Sequence, residues 1–130
     1  MKVPRFLLLL IALTHLAIPA VMLVRSDSLR AEVATQHPDF PASEVDASVR
    51  VALTSATVFH LLLAVLCVVL AWKLDGTRRW ASRLTVVSQA LSIVFSLVSW
   101  STSTMFHAVI PVVVLLQLAT IVLVLRARRT

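Results

Sequence analysis

The most chemically capable groups in this 130-residue chain are two histidines, His15 and His60. Each stands near the centre of an apolar run of about twenty residues. An imidazole can ligate a metal, hold a haem iron or pass a proton. If the two runs are antiparallel neighbouring helices, both rings lie at one depth, so a shared haem or metal is a redox reading to weigh. The plainer reading is that each neutral ring donates to a backbone carbonyl, or to a Ser or Gln on a neighbour. That is the expectation. A bis-histidine haem domain shows further ligands or a glycine-rich face for the macrocycle, and Gly76 is the chain's single glycine.

The remaining polar positions inside apolar runs are hydroxyls and amides. Ser88, Ser92, Ser96, Ser99 and Ser103 recur every three or four residues. Serine can bond back to its own helix at i−4, so such a stripe reads as a packing seam before it reads as a channel wall. Ala52, Ala56, His60 and Ala64 recur every four residues, a small-residue row that lets another helix come close. Gln89 and Gln117 are more expensive in lipid. Gln117 needs a partner, which His15, His60 or Ser96 would supply. No nucleophile–base set and no phosphate-binding loop is legible, so neither an enzyme nor a cofactor is expected. No Asp, Glu, Lys or Arg lies within any run. Proton-coupled exporters usually keep such a group near the midplane, and small four-helix multidrug exporters keep a carboxylate in their first helix. The lone cysteine, Cys67, leaves no internal disulfide and no cysteine metal cluster.

The elements that must position these groups are four spans, at about 6–24, 51–72, 84–104 and 106–125, with an outer loop over 25–50. Hydrophobic residues make up 59% of the chain and mean hydropathy is +0.96, so the expected solvent is a lipid bilayer. Lipid admits only helices or closed barrels, and runs of this length are helical. The expected fold is all-α: a single four-helix transmembrane bundle in a plasma membrane. Lys2 and Arg5 followed by an apolar run resemble the start of a signal peptide. The run continues to Val24, and Ala20 has Ile18 where a small residue belongs, so an uncleaved first span is expected.

Charge sets the orientation. Lys2 and Arg5 precede span one; Lys73, Arg78, Arg79 and Arg83 crowd the second connection; Arg126, Arg128 and Arg129 follow span four. With four spans these fall on one side, which the positive-inside rule makes cytoplasmic for both termini. Trp72, Trp80 and Trp100 fall where membrane interfaces are expected. The net charge of +6 is explained by these span ends, and no nucleic-acid partner is expected.

In the outer loop, Ser28–Gln36 reads as a short surface helix broken by His37-Pro38 and Phe40-Pro41. Ser43 reads as the N-cap of a helix running into span two, with acidic residues in its first turn. Gly76 reads as a C-cap, and the short connection makes spans two and three antiparallel neighbours. Pro111 is expected to bend the start of span four, and His107 to be a solvated surface residue.

Two segments, Gln36-His-Pro-Asp-Phe-Pro-Ala-Ser-Glu-Val-Asp-Ala-Ser-Val-Arg50 and Ala71-Trp-Lys-Leu-Asp-Gly-Thr-Arg-Arg-Trp-Ala-Ser-Arg83, carry a resemblance. Together they resemble small four-span integral membrane proteins of actinobacteria, with a Pro/acidic outer loop before span two and a Gly-x-x-x-Trp-Ala-Arg-like turn before span three. Ser82 separates Ala81 from Arg83, a departure from that turn. The resemblance implies the fold and a plasma-membrane location and carries no catalytic residues. The functional expectation is a non-enzymatic accessory or regulatory component of a membrane assembly, with a membrane-protein partner or a second copy of itself. The alternatives are a His15/His60 redox module and a homo-oligomeric channel or transporter along the serine stripe.

Overall fold

The computed structural model describes residues 1–74 and 78–128. Gly76 and Arg129 lie outside the described residues. Among those described, every regular element is helical: α1 (Lys2–Val24), α2 (Ser26–Gln36), α3 (Ala42–Lys73), α4 (Arg79–Thr102) and α5 (Ile110–Ala127). All except α2 are long and apolar enough to cross a membrane. Their outward faces stay apolar, with Leu13, Leu62, Val94 and Leu115 all more than half exposed. Pro19 sits inside α1 without interrupting it.

The helix starts differ from expectation in two places. Ser43 is not a cap. The N-cap is Pro41, extended at φ −65°, ψ 158°, and α3 begins at Ala42. The Pro41 carbonyl accepts from the amides of Glu44 (2.9 Å) and Val45 (3.1 Å), which makes the first turn without a side chain. Proline presets that geometry, and the cap needs its carbonyl rather than a donor. The fourth long helix begins at Ile110, not Phe106. Pro111 stands in its first turn and starts the helix rather than bending it. A proline there lacks only an amide that would be orphaned anyway. Residues 103–109 form a turn-rich connection.

The long helices alternate in direction, and the basic segments described share one end. The Arg5 Nε donates to the Ala71 carbonyl (2.7 Å), and the Arg128 Nη2 donates to the Arg79 carbonyl (3.0 Å). We call this the basic end. Here a tight apolar cluster joins all four long helices: Leu8, Ile11 and Ala12 from α1, Ala64, Cys67, Leu70 and Ala71 from α3 with Leu74 beyond it, Ala81 from α4 and Val124 from α5.

Neighbour relations depart from chain order. The main partner of α3 is α1, the main partner of α4 is α5, and α1 also packs on α5. The α3–α4 seam, expected to be close because of the short connection, is the sparsest of the contacts between the long helices. Its ties are the Gln89 Nε2 donating to the Cys67 Sγ (3.6 Å) and Phe59 meeting Phe95 edge to face (centroids 5.4 Å). The two pairs, α1/α3 and α4/α5, are thus gripped together at the basic end.

Ala64 is 4% exposed within that grip. Ala64→Leu is expected to overpack it and cost about 1–3 kcal/mol. Thermal unfolding of the purified protein in detergent should show a lowered Tm, whereas Val65→Leu, on an exposed position one residue away, should leave it unchanged.

Candidate functional site

At a helical rise of about 1.5 Å per residue, His15 stands about 20 Å along α1 from Lys2. His60 stands about 20 Å along α3 from Lys73, and Ser92 about 20 Å along α4 from Arg79. Gln89 and Gln117 lie about 15 Å from the basic ends of α4 and α5, roughly one turn nearer that end. His15, His60, Gln89, Ser92 and Gln117 therefore form one layer across the four long helices.

Within that layer His15 and His60 meet each other rather than separate carbonyls, a correction to the plainer expectation. Their Nδ1 atoms are 3.0 Å apart and the ring centroids 5.2 Å. This is hydrogen-bond length. In this arrangement the two Nδ1 atoms are engaged with each other. Among the described residues no group of three or more His, Cys, Asp or Glu converges, so the pair would offer a metal two ligands.

With both rings neutral, one Nδ1 donates and the other accepts. The donating ring then has a bare Nε2, and the accepting ring an Nε2–H. Whichever tautomer holds, the pair presents one donor and one acceptor to its surroundings. His15 is 3% exposed, and its Nε2 is buried with no hydrogen-bond partner within the protein.

Gln117 does find a partner inside the chain, but it is Ser92 rather than His15, His60 or Ser96. Its Nε2 donates to the Ser92 Oγ at 2.7 Å. The carbonyl oxygens of Gln117 and Gln89 are buried without partners, like the His15 Nε2. Such orphans are the ordinary seats of buried water.

Beyond this layer, away from the basic end, the helices part around a cavity of about 440 Å³. His15 and His60 lie at its floor, with Ser92 beside them. Ser96, Ser99, Thr102 and Ser103 make a hydroxyl strip up one wall. Ile18, Met22, Phe59, Leu63, Phe95 and Val113 are among the apolar residues facing it. Its lining includes no Asp, Glu, Lys or Arg among the described residues. The serine stripe thus divides. Ser88 and Ser92 are buried in the packed layer, and Ser96, Ser99 and Ser103 line the cavity. The small-residue row divides likewise, with Ala64 in the apolar cluster and Ala56 and His60 on the cavity.

The short helix α2 straps the mouth. Leu29 reaches the cavity lining. The Glu32 Oε2 accepts from the Ser103 Oγ (3.1 Å), the Gln36 Nε2 donates to the Thr102 carbonyl (3.4 Å), and Arg30 pairs with Asp46 (3.1 Å). Sequence reasoning placed this helix but missed its ties, because Glu32 and Ser103 are distant in sequence and carry no joint motif. His107, expected to be a solvated surface residue, is partly exposed and stacks on Trp100 (centroids 4.2 Å), with its Nε2 2.8 Å from the Trp100 carbonyl. Of the interface residues, Trp72 is 73% exposed beside Lys73, and Trp80 is half exposed at the start of α4. Arg78 and Arg83 flank that start.

Compared with protein-family models, curated proteins and solved structures, the chain matches no family model, no curated protein and no solved structure. Function must therefore be argued from this site.

Two outcomes are expected. Ser92→Ala strands the Gln117 amide and should cost roughly 0.6–2 kcal/mol in detergent unfolding. Gln117→Leu should cost less, because it also removes the orphaned carbonyl. Separately, in a Cys67→Ala background, Ser99→Cys should react faster with a membrane-impermeant thiol reagent once Glu32→Ala cuts the strap. An unchanged labelling rate would show that α2 does not restrict the mouth.

Proposed function

We propose that this is a non-enzymatic plasma-membrane protein that holds a small neutral guest in its cavity and serves a membrane assembly as an accessory or regulatory component. In this reading both termini are cytoplasmic, and the cavity opens on the far side. The observation that carries it is the cavity itself: about 440 Å³, floored by an imidazole pair and walled by hydroxyls and apolar side chains. That volume lies in the range of small-molecule sites. A few convergent polar groups in an apolar wall orient a guest, and the lining carries no charge that would recruit an ionic one. The orientation rests on the basic residues gathered at one end.

The reading has a direct check. The tagged full chain is purified from native membranes in mild detergent, and both its extracted small molecules and its co-purifying proteins are identified by mass spectrometry. A guest retained in stoichiometric amount, and lost from a Ser96→Trp variant that fills the cavity, is the expected result. Only bulk lipid, equal in both preparations, would sink the proposal. A stoichiometric membrane-protein partner is the expected sign of the accessory role, and recovery alone would remove that part. Orientation is checked in intact cells in a Cys67→Ala background. Ser28→Cys should label with an impermeant maleimide and Arg128→Cys should not; the reverse pattern inverts the topology.

A further inference from the structure

The cavity has a second boundary besides its strapped mouth. Phe59 and Phe95 both line it, and they meet edge to face across the sparsely packed α3–α4 seam. Both remain well exposed, at 38% and 52%. They stand about 21 Å and 24 Å from the basic ends of α3 and α4, close to the depth of the imidazole pair. Phe59 also sets its ring edge on to His60 (centroids 5.5 Å). Two aromatic rings, held together by one edge contact worth about 0.5–1.5 kcal/mol, therefore form the wall between the imidazoles and the flank of the molecule. In a bilayer that flank faces hydrocarbon.

The floor selects by hydrogen bonding. The His15 Nε2 is buried, so the ring nitrogen the pair leaves to the cavity is the His60 Nε2, a donor or an acceptor according to where the shared proton lies. A carbonyl head suits the donor form of that nitrogen, and a hydroxyl head suits either form. A carboxylate or ammonium head would enter an uncharged cavity without a counter-ion, at high cost. The apolar face of the lining, Ile18, Met22, Leu63 and Val113 among it, suits a hydrocarbon body.

From this geometry we infer that the cavity takes a neutral, lipid-soluble molecule with a carbonyl or hydroxyl head, which enters sideways from the bilayer past Phe59 and Phe95 and seats its head on the His15–His60 pair. The inference rests on the proposed guest-binding role and names the class of guest and its route.

The test uses the full chain in phosphatidylcholine nanodiscs with ¹⁵N-labelled histidine. The probes are dodecanol, a dodecanone, dodecane and dodecanoate. Dodecanol, or dodecanol and the ketone together, should shift the ring nitrogens of His15 and His60. His37 and His107, outside the lining, serve as references. Dodecane and dodecanoate should leave all four histidines unchanged. His60→Phe should abolish the His15 response, and Ser96→Trp, which fills the cavity without touching the pair, should abolish both.

A response to dodecane equal to that for dodecanol would overturn head recognition, and a stronger response to dodecanoate would overturn neutrality. If no probe acts while a native guest is still retained on purification, the class is wrong and the guest-binding role stands; if neither is seen, both fail. The route is read from loading rates after Glu32→Cys and Ser103→Cys are joined by a disulfide in a Cys67→Ala background. Unchanged loading from the bilayer, faster with Phe95→Ala, is expected. Loading abolished by the locked mouth would place entry at the mouth.

Discussion

A polar side chain in the middle of an apolar helix has no water to turn to, and the arrangement of this molecule follows from where those side chains find relief. His15, His60, Gln89, Ser92 and Gln117 come from four different helices and lie within one turn of a common depth. Each satisfies part of its hydrogen-bonding capacity on another helix: imidazole to imidazole, Gln117 to Ser92, Gln89 to Cys67. Apolar packing alone is weakly directional when every helix face is apolar and the surrounding solvent is too. The polar layer supplies the registry. Slide α3 or α4 by a turn and two of these three contacts are lost together.

On the basic side of the layer, packing takes over. Leu8, Ile11, Leu70 and Val124 are fully buried there, and the alanines among them let the backbones approach. On the other side the residues facing inward are serines, phenylalanines and a short strapping helix. Serine is too small to fill the space between helices, and the phenylalanines stand in the α3–α4 seam rather than across the centre. The cavity is the consequence of that change in side-chain volume along α4, from Ala81, Thr85 and Gln89 in packed positions to Ser96 and Ser99 on an open wall.

The sequence made the spans legible because hydropathy over twenty residues is a strong signal, and the expected short helix before Gln36 is there. It also made the shared depth of His15 and His60 legible, since antiparallel runs of known length fix relative height. What it could not carry was azimuth. Four helices apolar on nearly every side do not announce which faces meet, so the His–His contact, the choice of Ser92 by Gln117 and the weak α3–α4 seam were out of reach. Local boundaries failed near prolines: Pro41 caps α3 with a carbonyl, and Pro111 stands in the first turn of α5, which starts at Ile110.

The grip at one end has a mechanical consequence. Two rigid helix pairs joined near Leu8 and Val124 make a pair of tongs, with the pivot in the best-packed part of the molecule and the tips at α2. A rotation small enough to leave the pivot contacts intact is magnified in proportion to distance along the arms, so it is greatest beside Ser103 and Glu32. The hydrogen bond between those two residues is therefore placed where the lever is longest, and where the least force restrains the widest swing.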